Sequence, residues 1–116
     1  MISGCHTDEN KCVKLKRGEF YYKAKILLTG SIINRNDSIQ IVTDEQTGEK
    51  QKEKIVWTDA CTYELYPLPH NKKDILNSDL FPIRVTVLEV TKRYYIVNVL
   101  SGDHKTEFND TVWIIK

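Results

Sequence analysis

Three cysteines, Cys5, Cys12 and Cys61, are the side chains of this chain with the widest chemistry open to them. A thiol can be acylated, oxidised to a disulfide, or deprotonated to hold a metal. An odd number allows at most one pair within the chain and leaves the third thiol another task. Cys5, His6 and Cys12 lie close together, but their spacing matches no structural zinc pattern and a fourth ligand is lacking, so neither metal nor cofactor is expected. The histidines (His6, His70 and His104) fall in tail or loop-edge positions without a partner at a motif spacing. No Gly-x-Ser-x-Gly, His-Glu-x-x-His or phosphate-cradling glycine loop occurs. Asp37, Asp59 and Asp110 stand at bends, where aspartate bonds the local backbone. Catalysis is not expected.

Met1-Ile2-Ser3-Gly4-Cys5 resembles a lipobox, in which small residues precede a cysteine that becomes lipidated. The charged and apolar regions that precede a lipobox are not part of this sequence. With Cys5 carrying a lipid, Cys12 and Cys61 remain, and an oxidising envelope compartment permits their pairing. Such a bridge closes a loop of about fifty residues, worth ~4 kcal/mol in the chain-entropy account. The alternative is a buried Cys61 and a free, exposed Cys12. His6 to Arg17 is polar, with no apolar period, and reads as a flexible tether over residues 1–17. Its basic cluster from Lys11 to Arg17 could meet acidic headgroups or glycans, although a solvated run is the simpler reading.

These groups need a scaffold, and the rest of the chain supplies strands. Isoleucine, valine, threonine and tyrosine are plentiful, a composition that favours strands. Expected strands are 19–28, 38–43, 50–57, 61–65, 83–91, 94–100, 104–108 and 111–115, with Ser31 to Asn34 leading to a turn at Arg35–Ser38 and Asn109-Asp110 a bulge or turn between the last two. The early, charged half of 50–57 is expected to project past the core. Residues 70–81 allow one or two helical turns. On a two-residue period Cys61, Tyr63 and Leu65 share one face, and Thr62, Glu64 and Tyr66 the other. A tight bend at 58–60 would bring Trp57 near Cys61, with the indole covering the sulfur. Short links between consecutive strands imply antiparallel neighbours, and closure protects the edges of such a meander. Residues 18–116 are therefore expected to form one all-β domain: an antiparallel meander of about eight short strands in a small barrel or half-barrel, with a β-sandwich as the alternative.

The Cys-rich N-terminus, the Arg35–Ile39 turn followed by Gln40, and Trp-x-x-x-Cys-x-Tyr-x-Leu (Trp57 to Leu65) resemble small lipoproteins of the Bacteroidetes. That resemblance covers most of the chain from Cys5 and implies a calycin, or lipocalin-like, β-barrel of unknown function. Acidic residues soon after the lipidated cysteine, here Asp8 and Glu9, resemble the signal that sends such proteins to the cell surface. It implies an outer-membrane lipoprotein, periplasmic or surface-exposed.

Charge and size narrow the function. Seventeen basic against sixteen acidic side chains leave +1, no footprint for nucleic acid. No run approaches the ~20 apolar residues of a membrane helix, so membrane contact is expected through the lipid on Cys5. A barrel of this class can enclose a small hydrophobic ligand, with Tyr21, Trp57, Tyr63, Tyr66, Tyr94 and Trp113 either lining a cavity or filling the core. The alternative is a module for protein–protein or glycan interaction, presenting the Asp44–Lys54 hairpin tip or the Tyr66–Phe81 loop. The reading is thus a non-catalytic, lipid-anchored envelope protein.

Overall fold

The computed structural model describes residues 9–23, 29–68 and 82–116. Eight antiparallel strands close into a barrel in chain order. They are β1 (Gly18–Tyr22), β2 (Ser31–Arg35), β3 (Ile39–Asp44), β4 (Lys50–Asp59), β5 (Thr62–Pro67), β6 (Ile83–Val90), β7 (Tyr94–Leu100) and β8 (Glu107–Ile114). Closure is made by β1 on β8, with Tyr21 opposite Trp113. Each of the eight described strands therefore has a neighbour on both sides, the physical return for closing a meander.

Alternation along each strand decides what faces inward. Ile33 on β2, Ile55 on β4, Tyr63 and Leu65 on β5, Val85 and Val87 on β6, and Tyr95 and Val97 on β7 are all buried. Tyr63 and Leu65 share one face of β5, as expected, and it is the core face, while Tyr66 on the other face is exposed. Tyr95 and Phe20 are the largest fully buried side chains and meet edge to face, with ring centroids 5.6 Å apart. Side chains, rather than a central void, occupy this part of the interior.

Turn chemistry follows the residues the chain supplies. Asp44 Oδ1 accepts from the N–H groups of Gln46 and Thr47, and Gly48 takes φ +77°, so the β3–β4 link turns tightly. Gly18 has φ +140°, and a Cβ there would lie 2.7 Å from the carbonyl oxygen of Lys116. Glycine is needed where β1 starts.

Four expectations are corrected. Residues 104–106 are not strand: Asp103 accepts from Lys105 N–H and Ser101 Oγ from Thr106 N–H, and His104 adopts φ +60°. Asn109 and Asp110 do not interrupt β8, because they pair in register with Asn98 and Val97. The early half of β4 does not project, since Lys50 to Lys54 pair with Thr43 to Ile39 and Glu53 is buried. Finally, part of the expected tether is ordered. Glu9–Val13 forms a short helix, α1, and Lys14–Lys16 a 3-10 turn. The lipobox positions, the second half of the expected 19–28 strand and the expected helical turns at 70–81 lie outside the described residues.

Candidate functional site

Antiparallel order gives the barrel two distinct ends. One gathers the start of β1, the β2–β3, β4–β5 and β6–β7 turns, and the end of β8. Here α1 and its 3-10 turn form a plug. Cys12 and Leu15, three residues apart on consecutive helical turns, reach inward and are 0% and 2% exposed. Cys12 is joined to Cys61 across 5.4 Å between Cα atoms. The pairing of Cys12 and Cys61 is therefore present, and the alternative of a free, exposed Cys12 is overturned. Bulges at Trp57–Asp59 in β4 and at Val87–Glu89 in β6 lie at this end. A bulge bends its strand and increases local twist, which here accompanies the β4–β5 turn that carries Cys61.

Beneath the plug lies a polar ladder that strand register builds. Arg35 on β2 is opposite Gln40 on β3, and Gln40 is opposite Glu53 on β4. Directly opposed residues on one sheet face are close enough to bond. Arg35 Nε donates to Gln40 Oε1 at 3.0 Å, and Gln40 Nε2 donates to Glu53 Oε1 at 2.7 Å. Gln51 Nε2 donates to the other Glu53 oxygen at 3.3 Å. The remaining guanidinium donors reach the Leu15 carbonyl at 2.8 Å, Tyr95 Oη at 3.1 Å and Tyr63 Oη at 3.3 Å. Arg35 also lies over the rings of Phe20, at 4.5 Å, and Tyr63, at 5.0 Å. A buried charge is tolerable only with such pairing.

This surrounding shifts the titrating groups. Burial pushes the Glu53 carboxyl above its ordinary value, against the opposing pull of Gln40 and Arg35. Burial likewise holds the Tyr63 phenol far above its usual range, despite the guanidinium beside it. Toward the other end, burial and then a hydrogen bond to Asp110 push Tyr22 up to about 12. Asp37, on the β2–β3 turn, is held below its usual value by its hydrogen bond to Arg17. The Arg17–Asp37 contact is bidentate, at 2.8 and 2.7 Å, and ties the residue that follows the plug to that turn.

The aromatic residues expected to line a cavity divide. Tyr63 faces inward, and Trp57 packs on it with ring centroids 4.7 Å apart and Lys16 Nζ 5.4 Å from the indole. Trp57 Nε1 is buried without a hydrogen-bond partner among the described residues. Tyr66 and Trp113 point outward and are 36% and 46% exposed. Tyr94 meets Trp113 edge to face on that outer face, and Tyr21 Oη donates to Glu45 there at 2.7 Å. None of these four lines the interior. Phe20, Arg35, Gln40, Glu53 and Tyr95 do, and the only sequence signal for them is alternation with a buried neighbour, such as Ile33 two residues from Arg35. Cys5 lies outside the described residues, as do Asp8 and the residues 69–81 that contain most of the expected Tyr66–Phe81 loop.

Outside the plug, the same end carries a cleft of about 590 Å³. Leu15, Phe20, Val90 and Ile114 form its apolar floor. Lys11, Lys14 and Arg17 on the plug side, with Lys92 and Lys116 opposite, form its rim. Comparison with family models, with curated proteins and with solved structures finds no match for this chain.

Proposed function

We propose that the protein is a non-catalytic cell-envelope lipoprotein, held at the outer membrane by a lipid on Cys5, whose barrel serves as a rigid binding module. The observation that carries this reading is the Cys12–Cys61 bridge. A structural disulfide, with Cys12 buried and Cys61 partly buried, fits an oxidising compartment and gives two of the three cysteines a task, leaving Cys5 for the lipid. The bridge also fastens α1, which begins four residues after Cys5, to the barrel wall. Force on the anchor would then be taken by a covalent bond rather than by fraying strands. The resemblance to small Bacteroidetes lipoproteins points the same way.

The filled interior around Arg35, Tyr63 and Tyr95 favours ligand binding at the surface cleft over a hydrophobic ligand carried in the barrel's centre. The outward row of half-buried Tyr21, exposed Trp113 and half-buried Tyr94 favours a second reading, an interaction module for protein or glycan, because accessible aromatic faces suit such contacts. Fractionation of cells tests the anchor. The natural protein is expected in the outer-membrane pellet and the Cys5→Ser variant in the soluble periplasmic fraction. Pelleting of both forms alike would rule out Cys5 as the anchor.

A further inference from the structure

The basic run of the N-terminal segment finds a place in the cleft at the plugged end. Its rim holds five cationic side chains, and no acidic side chain of the described residues lines it. The whole chain carries only +1, so this is a local concentration of positive charge. Among the described residues, Arg17 alone of the five is ion-paired, with Asp37. Arg35 lies 4.5 Å from the Phe20 ring, adding a buried cation next to the apolar floor. The rim is held on fixed backbone: Lys116 is tied to β1 by Glu19 N–H to its carbonyl at 2.8 Å, and the β6–β7 turn is closed by Thr91 N–H to Tyr94 O at 2.8 Å. The volume lies within the range of about 300–1,000 Å³ common for small-molecule sites.

An apolar floor ringed by cations complements a ligand of one kind. From this geometry we infer that the cleft binds an amphipathic anion, a phosphate or carboxylate head carried on an alkyl chain. The chain covers Leu15, Phe20, Val90 and Ile114, while the head meets Lys11, Lys14, Lys92 or Lys116. Ammonium–oxyanion contacts are charge-assisted and give the head its selectivity. Burial of the chain supplies the rest of the affinity. The same chemistry is available from a free amphiphile or from an anionic lipid headgroup in a bilayer.

The test uses the full chain carrying Cys5→Ser, so that its result does not depend on the anchor. Decyl phosphate below its micellar concentration is titrated by calorimetry, with inorganic phosphate and the neutral decyl maltoside as comparisons. Saturable one-to-one binding of decyl phosphate is expected, with both comparisons at least tenfold weaker as an order-of-magnitude expectation. Methyl signals of Val90 and Ile114 should shift in NMR spectra. A Lys14→Gln, Lys92→Gln double variant, with unchanged melting, should weaken binding by roughly tenfold. Phosphatidylcholine vesicles with and without phosphatidylglycerol separate the sources. Binding to the anionic vesicles that decyl phosphate competes away assigns the headgroup, and decyl phosphate binding without vesicle binding assigns the free amphiphile. No saturable binding, equal binding of the maltoside, or shifts confined to residues outside the cleft would overturn the inference.

Discussion

Arg35 is the residue on which the interior turns, because it bonds the β2, β3, β5 and β7 walls and the plug at once. Removing it strands Gln40, the Leu15 carbonyl and two phenols together. Arg35→Met should therefore cost about 3–5 kcal/mol, the range for breaking a buried charged network. Glu53 supplies the companion measurement. Its raised value means that the folded chain holds this proton more tightly than the unfolded chain. Its contribution to stability is thus full below the ordinary glutamate value of 4.5 and lost as pH rises through the raised one. Chemical denaturation of the natural protein, Arg35→Met and Glu53→Gln across that window reads both effects. The stability of the natural protein relative to Glu53→Gln should fall with rising pH, and a constant difference would remove Glu53 from the buried network. Arg35, Gln40 and Glu53 were hard to read in the sequence because polar residues near turns ordinarily face solvent. The register that aligns them across three strands is a tertiary fact.

At the scale of elements, the plug is where residue pattern and structure diverge most. Glu9 to Lys16 holds few apolar residues, and composition alone reads it as solvated. Two of them, Cys12 and Leu15, are enough to seat it, since one supplies a covalent bond and the other a fully buried side chain. The odd cysteine count made the bond legible, whereas the helix was not. Replacing Cys12 and Cys61 together by Ser releases a closed loop with a sequence separation of 49 residues. Denaturation should show a loss of ~4 kcal/mol in the chain-entropy account. Amide exchange should accelerate in α1 before it does in β7. Unchanged protection of Cys12–Lys16 in the variant would mean that packing of Leu15 and the Arg17–Asp37 pair suffices to hold the plug.

For the whole molecule, the strand number and the antiparallel meander were legible because β-branched and aromatic runs alternate with Asn, Asp and Gly turns, whereas closure, left between a barrel and a half-barrel, is settled by the pairing of β1 with β8. Short links left antiparallel neighbours as the simple arrangement. The interior and exterior placement of the aromatics was less so. Tyr94 and Tyr95 are adjacent, and only the register decides which enters the core. One consequence reaches function: a barrel filled around Arg35 and sealed by a bridged plug is suited to presenting its surface from an anchor. The central claim is that Cys5 carries lipid while Cys12 and Cys61 carry a bond. A mass spectrum of protein taken from its native envelope and denatured in alkylating reagent without reductant tests it most directly. The account predicts an acyl-modified N-terminal cysteine at Cys5 and no alkylation at Cys12 or Cys61. A bare Cys5, or alkylated Cys12 and Cys61, would contradict it.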